Sequence, residues 1–149
     1  MFSFDLSSMI MLKDNAIASC GSITAAVQKA RGAGVRLGAV QFGSASHTPQ
    51  GFSIKIEVEC GNENDACEAI EAGADVIMLD NLNGPEMVAA AASLKSKFPH
   101  GRYLIEASGG ITLATCEQYM GEHVDVISMG CIIQGVPHVD FSLKIVPGE

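Results

Sequence analysis

The six residues Ala74-Asp-Val-Ile-Met-Leu79 limit the fold more than any other stretch of the chain. Apart from Asp75 they are apolar without alternation. A strand of that kind is covered on both faces, which points to a parallel sheet with helices packed on it rather than to an antiparallel sheet with one wet face. Helical patterns bracket the run. Before it, Asn62 is placed to cap a helix carrying Ala66, Ala69 and Ile70, and Gly73 ends that helix. After it, Pro85 suits the first turn of a helix with Met87, Val88, Ala91, Leu94 and Phe98. Lys95 and Lys97 fall in the last turns of this helix, where cations suit the helix dipole. Helices and strands that alternate in this way predict the α/β class.

The pattern extends in both directions. Residues 8–12 read as a strand that closes at Lys13-Asp14-Asn15. Ser22 is a good N-cap for a helix through Ile23, Ala26, Val27 and Ala30. Residues 53–59 read as a strand in which Ile54, Ile56 and Val58 alternate with Lys55, Glu57 and Glu59. Tyr103-Leu-Ile-Glu-Ala107 is a further strand. It runs into the turn Ser108-Gly-Gly110, with Thr112 placed to cap a helix over residues 113–120. Residues 124–129 form another strand, ending at Gly130, and residues 141–145 a final one. Residues 32–51 interrupt the rhythm with glycine, serine and Pro49. A structureless segment of this length is uncommon inside a compact domain, and it reads as a loop insertion. His47 lies in it with no metal-ligand partner nearby.

Lys13, Glu59, Asp80, Ser108 and Met129 each close a strand. Parallel strands joined by right-handed crossovers bring such residues to one rim. The 149 residues make one domain, too short for a full eight-unit barrel of about 250 residues. The expected fold is therefore an incomplete (β/α) TIM-like barrel of about five parallel strands with a final C-terminal strand. Its rim would carry Lys13, two carboxylates and two glycine turns. Strand, glycine turn and helix start present backbone N–H groups to a phosphate. Carboxylates serve sugar hydroxyls or Mg²⁺, and a lysine supplies further positive charge. The set suits a sugar phosphate. Plainer readings stay open at this point: a solvated Asx turn at Asn15, an exposed edge strand for Lys55, Glu57 and Glu59, and a structural salt-bridge network for the rim as a whole.

Composition narrows the partners. A net charge of −8 argues against non-specific nucleic-acid binding, so an anionic ligand would depend on local N–H groups and lysines. The five cysteines are odd in number and include no C-x-x-C pair, which fits buried thiols in a reducing compartment. The N-terminus lacks the long apolar core of a signal peptide, and no run reaches membrane-spanning length. No membrane association and a cytoplasmic location are the expectation.

The blocks Met11-Leu-Lys-Asp-Asn15, Lys55-Ile-Glu-Val-Glu-Cys60, Ala74-Asp-Val-Ile-Met-Leu-Asp-Asn81, Glu106-Ala-Ser-Gly-Gly-Ile111, Val124-Asp-Val-Ile-Ser-Met-Gly130 and Asp140-Phe-Ser-Leu-Lys144 resemble quinolinate phosphoribosyltransferase, also called nicotinate-nucleotide pyrophosphorylase (carboxylating). They stand in the family's order and cover most of the chain outside residues 32–51. The resemblance implies a pentosyl-transferring enzyme of de novo NAD synthesis. Its substrates would be quinolinate and phosphoribosyl pyrophosphate, its cofactor Mg²⁺, and its products nicotinate mononucleotide, pyrophosphate and carbon dioxide. By motif, Lys13 would lie at the quinolinate and pyrophosphate side. Glu59 and Asp80 would hold the ribose hydroxyls, directly or through Mg²⁺. Ser108, Gly109, Gly110 and Gly130 would bind the 5′-phosphate.

The departures from the family pattern carry equal weight. The family has an N-terminal α/β domain and early barrel strands ahead of the lysine block, and this sequence has neither. The arginine-rich elements that grip the two quinolinate carboxylates go with them. Ser3-Phe4 stands where the family has His-Arg, and Ala16 where it has His. The expectation is a truncated barrel with little or no activity alone, which forms a homo-oligomer or associates with a full-length subunit. The alternative is a non-catalytic phosphate-binding or assembly fragment that pairs with a complete subunit.

Overall fold

A computed structural model describes residues 9–42 and 55–135, with side chains for all of them except 34–42. The elements run β1 (Met9–Leu12), α1 (Asp14–Cys20), α2 (Ile23–Phe42), β2 (Lys55–Cys60), α3 (Glu63–Glu71), β3 (Val76–Asp80) and α4 (Gly84–Lys97). Then come β4 (Leu104–Ser108), a 3₁₀ turn (Cys116–Tyr119), β5 (Val126–Ile127) and α5 (Cys131–Gln134). The five strands form one sheet in the order β1-β2-β3-β4-β5, and every neighbouring pair is parallel. Strands that follow one another across a sheet without reversal build a barrel wall. A doubly wound sheet would reverse its order at a switch point. The expected partial barrel is the fold observed.

Register assigns each side chain to a face. Ile56, Val58, Cys60, Ile77, Leu79, Ile105 and Ala107 point one way, and all are fully buried. They meet Val27 of α2, Ala66 and Ala69 of α3, and Met87, Ala91 and Leu94 of α4, which are equally buried. Small alanines on these helices let the backbones approach the β-branched strand surface. The opposite face carries Met11, Glu57, Glu59, Met78, Asp80, Glu106 and Ser108. This is the inward wall of the barrel, and the alternation of residues 55–60 serves it: the charged set lines the interior and not an exposed outer surface.

The helix starts follow local chemistry. Ser22 Oγ accepts from Ala25 N at 3.1 Å, and Asn62 Oδ1 accepts from Asp65 N at 3.0 Å. Asn83 and Glu86 form a reciprocal capping box at the start of α4, with proline in the first turn, so the orphan N–H groups are satisfied locally. The strand starts share a device. Asp75 accepts from Ile56 N at 2.9 Å and Asp125 from Ile105 N at 2.8 Å. Each aspartate ties the entry of its own strand to its neighbour.

Several sequence expectations are corrected. Lys13-Asp14-Asn15 is not a solvated Asx turn. Lys13 is the extended residue before α1, and Asp14 lies in the first helical turn, where a negative charge suits the dipole. Residues 32–42 are not loop: α2 continues through them to Phe42. Alanine, arginine, leucine and glutamine there are good helix formers, and the helix carries its three glycines at a cost of about 1 kcal/mol each relative to alanine. Residues 43–51 lie outside the described residues, as do residues 1–8 and the expected strand at 141–145. The helix expected over residues 113–120 is reduced to the 3₁₀ turn. The carbonyl of Thr112 accepts from Thr115 N at 3.1 Å and Cys116 N at 2.9 Å, and the Thr112 and Thr115 hydroxyls lie 3.0 Å apart. Such local bonds compete with the helical ladder. Strand β5 keeps two residues of the expected six, since β4 is its one partner among the described residues. All five cysteines are free thiols, but only Cys60 is buried, and Cys131 is exposed.

Candidate active site

The carboxyl ends of the strands bring the expected residues together. β1 leads into Lys13, β2 contributes Glu59, β3 ends at Asp80 and β4 at Ser108. Lys13 Nζ donates to Glu59 Oε2 at 2.7 Å. The lysine side chain is 61% exposed and the glutamate 12%, so the pair lies at the mouth of the barrel. The bond to Glu59 raises the Lys13 pKa, with Asp80 and Glu57 adding to the effect against partial burial. Lys13 is therefore firmly cationic. The Asp80 pKa is raised too, by burial first and then by the charge of Glu59; Lys13 and hydrogen bonds from Ser108 and Asn81 act against this.

The turns after β3 and β4 interlock. Asn81 has a left-handed backbone, φ 60°. Its side-chain amide donates to Asp80, and its N–H donates to Ser108 O at 3.1 Å. Gly109, at φ 94°, lies directly against it: a Cβ there would come within 2.6 Å of both the nitrogen and Oδ1 of Asn81. Only glycine allows this approach. Gly110, at φ 62°, has open space where a Cβ would go. The N–H groups of Gly109, Gly110 and Gly130 donate to no acceptor among the described residues. Gly130 follows β5, next to the turn after β4, as Cys131 Sγ lies 3.7 Å from Ile111 O.

Glu59 and Asp80 are two neighbouring carboxylates on one wall. Among the described residues no group of three or more His, Cys, Asp or Glu side chains could hold a metal ion. An all-protein cage is therefore absent from this region. Glu59 and Asp80 could hold a Mg²⁺ ion only together with substrate phosphates and water, the way that ion is commonly bound.

Sequence reasoning gave Glu57 and Glu106 no separate role. Glu57 is 1% exposed, and its pKa is pushed up to about 7 by burial and by the charge of Glu106. Glu106 accepts from Ser128 Oγ at 2.5 Å. The period-2 spacing Glu57–Glu59 was the available signal, because it puts both side chains on one face. Two of the three arginines stay away from the rim. Arg31 donates to Asp75 and to Gly73 O, both at 2.6 Å, at the opposite end of the strands, and Arg102 precedes β4 at that same end.

Comparison with known proteins gives a consistent picture. The family described as "Quinolinate phosphoribosyl transferase, C-terminal domain" matches residues 2–144. Nicotinate-nucleotide pyrophosphorylase [carboxylating] of Dictyostelium discoideum is 53% identical over 141 residues, which are 95% of this chain and 41% of the relative. The Homo sapiens protein of the same name is 40% identical over 146 residues, 98% of this chain and 43% of its own length. The chain thus spans about two fifths of the curated relatives it matches. Among solved structures, a NadC deletion mutant superposes with a TM-score of 0.69 at 33% identity, covering 95% of this chain and 42% of the other. NadC from Streptococcus pyogenes gives 0.68 at 34%, covering 96% and 43%. By its motifs, its half-barrel and these relatives, the chain belongs to the quinolinate phosphoribosyl transferase C-terminal domain family.

Proposed function

We propose that this chain is the phosphoribosyl-binding part of an enzyme that transfers phosphoribosyl from phosphoribosyl pyrophosphate to quinolinate, with decarboxylation, to give nicotinate mononucleotide. The observation that carries the reading is the convergence of Lys13, Glu59, Asp80 and the interlocked Asn81–Gly109 turn at one end of an all-parallel sheet. Free N–H groups of Gly109, Gly110 and Gly130 would take the 5′-phosphate. Glu59 and Asp80 would hold the ribose hydroxyls and, through substrate, Mg²⁺, which when bound neutralises charge on the departing pyrophosphate. Their negative charge would also favour the oxocarbenium-like ribosyl centre. Lys13 would add positive charge at the quinolinate and pyrophosphate side.

The same geometry sets a limit. Quinolinate has two carboxylates, and their desolvation needs paired arginines or a comparable cationic cluster. Arg31 is held by Asp75, and Arg102 lies at the other end of β4. Turnover would therefore require further polypeptide, either in a homo-oligomer or from a full-length subunit. No helix among the described residues is long and apolar enough to cross a membrane, and the net charge of −8 disfavours nucleic-acid partners.

A chimera tests the proposal. This chain would replace the matching 141 residues of the Dictyostelium discoideum relative, and nicotinate mononucleotide formation would be assayed with both substrates and Mg²⁺. Turnover that is lost with Asp80→Asn supports the reading. A folded chimera without turnover overturns it.

A further inference from the structure

Glu57 is a buried carboxyl that the rim chemistry leaves unused. It is 1% exposed; no N–H, hydroxyl or ammonium donor reaches its oxygens, which face the carboxyl of Glu106 and share a proton with it when one of the two acids is protonated. Its register neighbours, Met11 on β1 and Val76 on β3, offer no donor. The charged groups around it are Lys13, Glu59 and Glu106. Lys13 is taken by Glu59, and Lys55, at the far end of the same face, is taken by Asp75 at 2.9 Å. Glu106 has Ser128 as its donor. The interior wall thus gathers Glu57 and Glu106 with no cation of their own among the described residues. A buried acid of this kind is normally paired.

The same wall lacks cover. Met11 is 44% exposed and Leu104 47%, although both point inward by register with Glu57 and Val76. β1 and β5 each have one strand partner among the described residues. The curated relatives contain more than twice the length that this chain spans.

We propose that Glu57 and Glu106 form the seat for a lysine or arginine side chain, carried by a strand from the part of the family protein that this chain does not span. The cation enters from the partly buried Glu106 side, and its head meets the two carboxyls. A strand with an apolar or acidic residue at that inward position leaves the acids unpaired, so the seat also selects the register of the closing strand. The proposal concerns barrel closure and requires neither phosphate nor quinolinate binding.

The test mixes the full chain with a polypeptide comprising the Dictyostelium discoideum relative minus its matching 141 residues, without substrates or Mg²⁺. Calorimetry should show association that weakens at least tenfold with Glu57→Gln and with Glu106→Gln. In isolation, the Glu57→Gln chain should melt no lower than wild type at pH 8, because a lone buried acid has been removed. A second variant works within the chain alone: Met78→Lys places a cation on the same wall beside Glu106 and should melt above Met78→Gln at pH 8. The proposal is overturned by no association with wild type, by equal association of the glutamine variants, or by Met78→Lys melting below Met78→Gln.

Discussion

Gly109→Ala is the sharpest structural test of the turn that frames the site. Two costs add. The backbone sits at φ 94°, where an L-residue is strained by about 1–2 kcal/mol. The new Cβ would also approach the Asn81 nitrogen and Oδ1 to 2.6 Å and its Cα to 2.9 Å. Backbone atoms of Asn81 cannot swing aside, because its N–H is held by Ser108 O, so overpacking costs about another 1–3 kcal/mol. Together the loss is about 2–5 kcal/mol. Gly110→Ala is the control. Its φ of 62° is an ordinary left-handed value and its Cβ meets nothing within 4 Å, so the cost is about 1 kcal/mol. Urea unfolding followed by circular dichroism gives both values from the midpoints. Equal losses for the two variants would refute the close approach, and with it the interlocked turn.

Other expectations follow from the same geometry. Asp75→Asn removes a carboxylate that Ile56 N, Arg31 and Lys55 share and should cost about 2–4 kcal/mol by urea unfolding. Burial opposes ionisation of Asp75, but these three partners outweigh it and lower its pKa from 3.8. The stabilisation is present above 3.8 and lost as pH falls through the lowered value, so the gap between variant and wild type should close in acid. Glu57 behaves in the opposite sense. With its pKa raised from 4.5 to about 7, its contribution is greatest below 4.5 and is lost as pH rises through 7. At about 1.4 kcal/mol per pKa unit, wild type should lose up to about 3 kcal/mol relative to Glu57→Gln between pH 4.5 and pH 8.5, and parallel stability curves would contradict this. The chain alone, given both substrates and Mg²⁺, should form nicotinate mononucleotide far below about 0.1 per second, a low rate for an enzyme. A higher rate would show that the missing arginines are dispensable.

The strands and their rim were legible because parallel strands write themselves as short apolar runs that end on polar residues. Ala74 to Leu79 announced a covered strand, and Lys13, Glu59, Asp80 and Ser108 then fell at one end by topology. Caps at Ser22 and Asn62 were local and therefore readable, and Pro85 marked the start of α4, whose cap is Asn83. α2 runs on through Gly32 and Gly34, where local glycine content pointed to a loop. Two features depended on contacts that a sequence does not display. The turn around Thr112 yields to threonine hydroxyl bonds. Glu57 looks like Glu59 in sequence, and it takes the curvature of the sheet to bury one beside Glu106 while the other stays at the mouth with Lys13. Asp75 and Asp125 were likewise unreadable as strand anchors, since each binds an N–H about 20 positions back along the chain.

The central claim is that a sugar phosphate binds at the glycine turns on the carboxyl ends of the strands. Titration of the ¹⁵N-labelled chain with inorganic phosphate, followed amide by amide, tests it most directly. Saturable shifts are expected at Gly109, Gly110 and Gly130, with affinity in the millimolar range or weaker. Gly110→Asp, which puts a carboxylate where the phosphate would sit, should abolish them. Shifts that centre elsewhere, or that persist unchanged in Gly110→Asp, would contradict it.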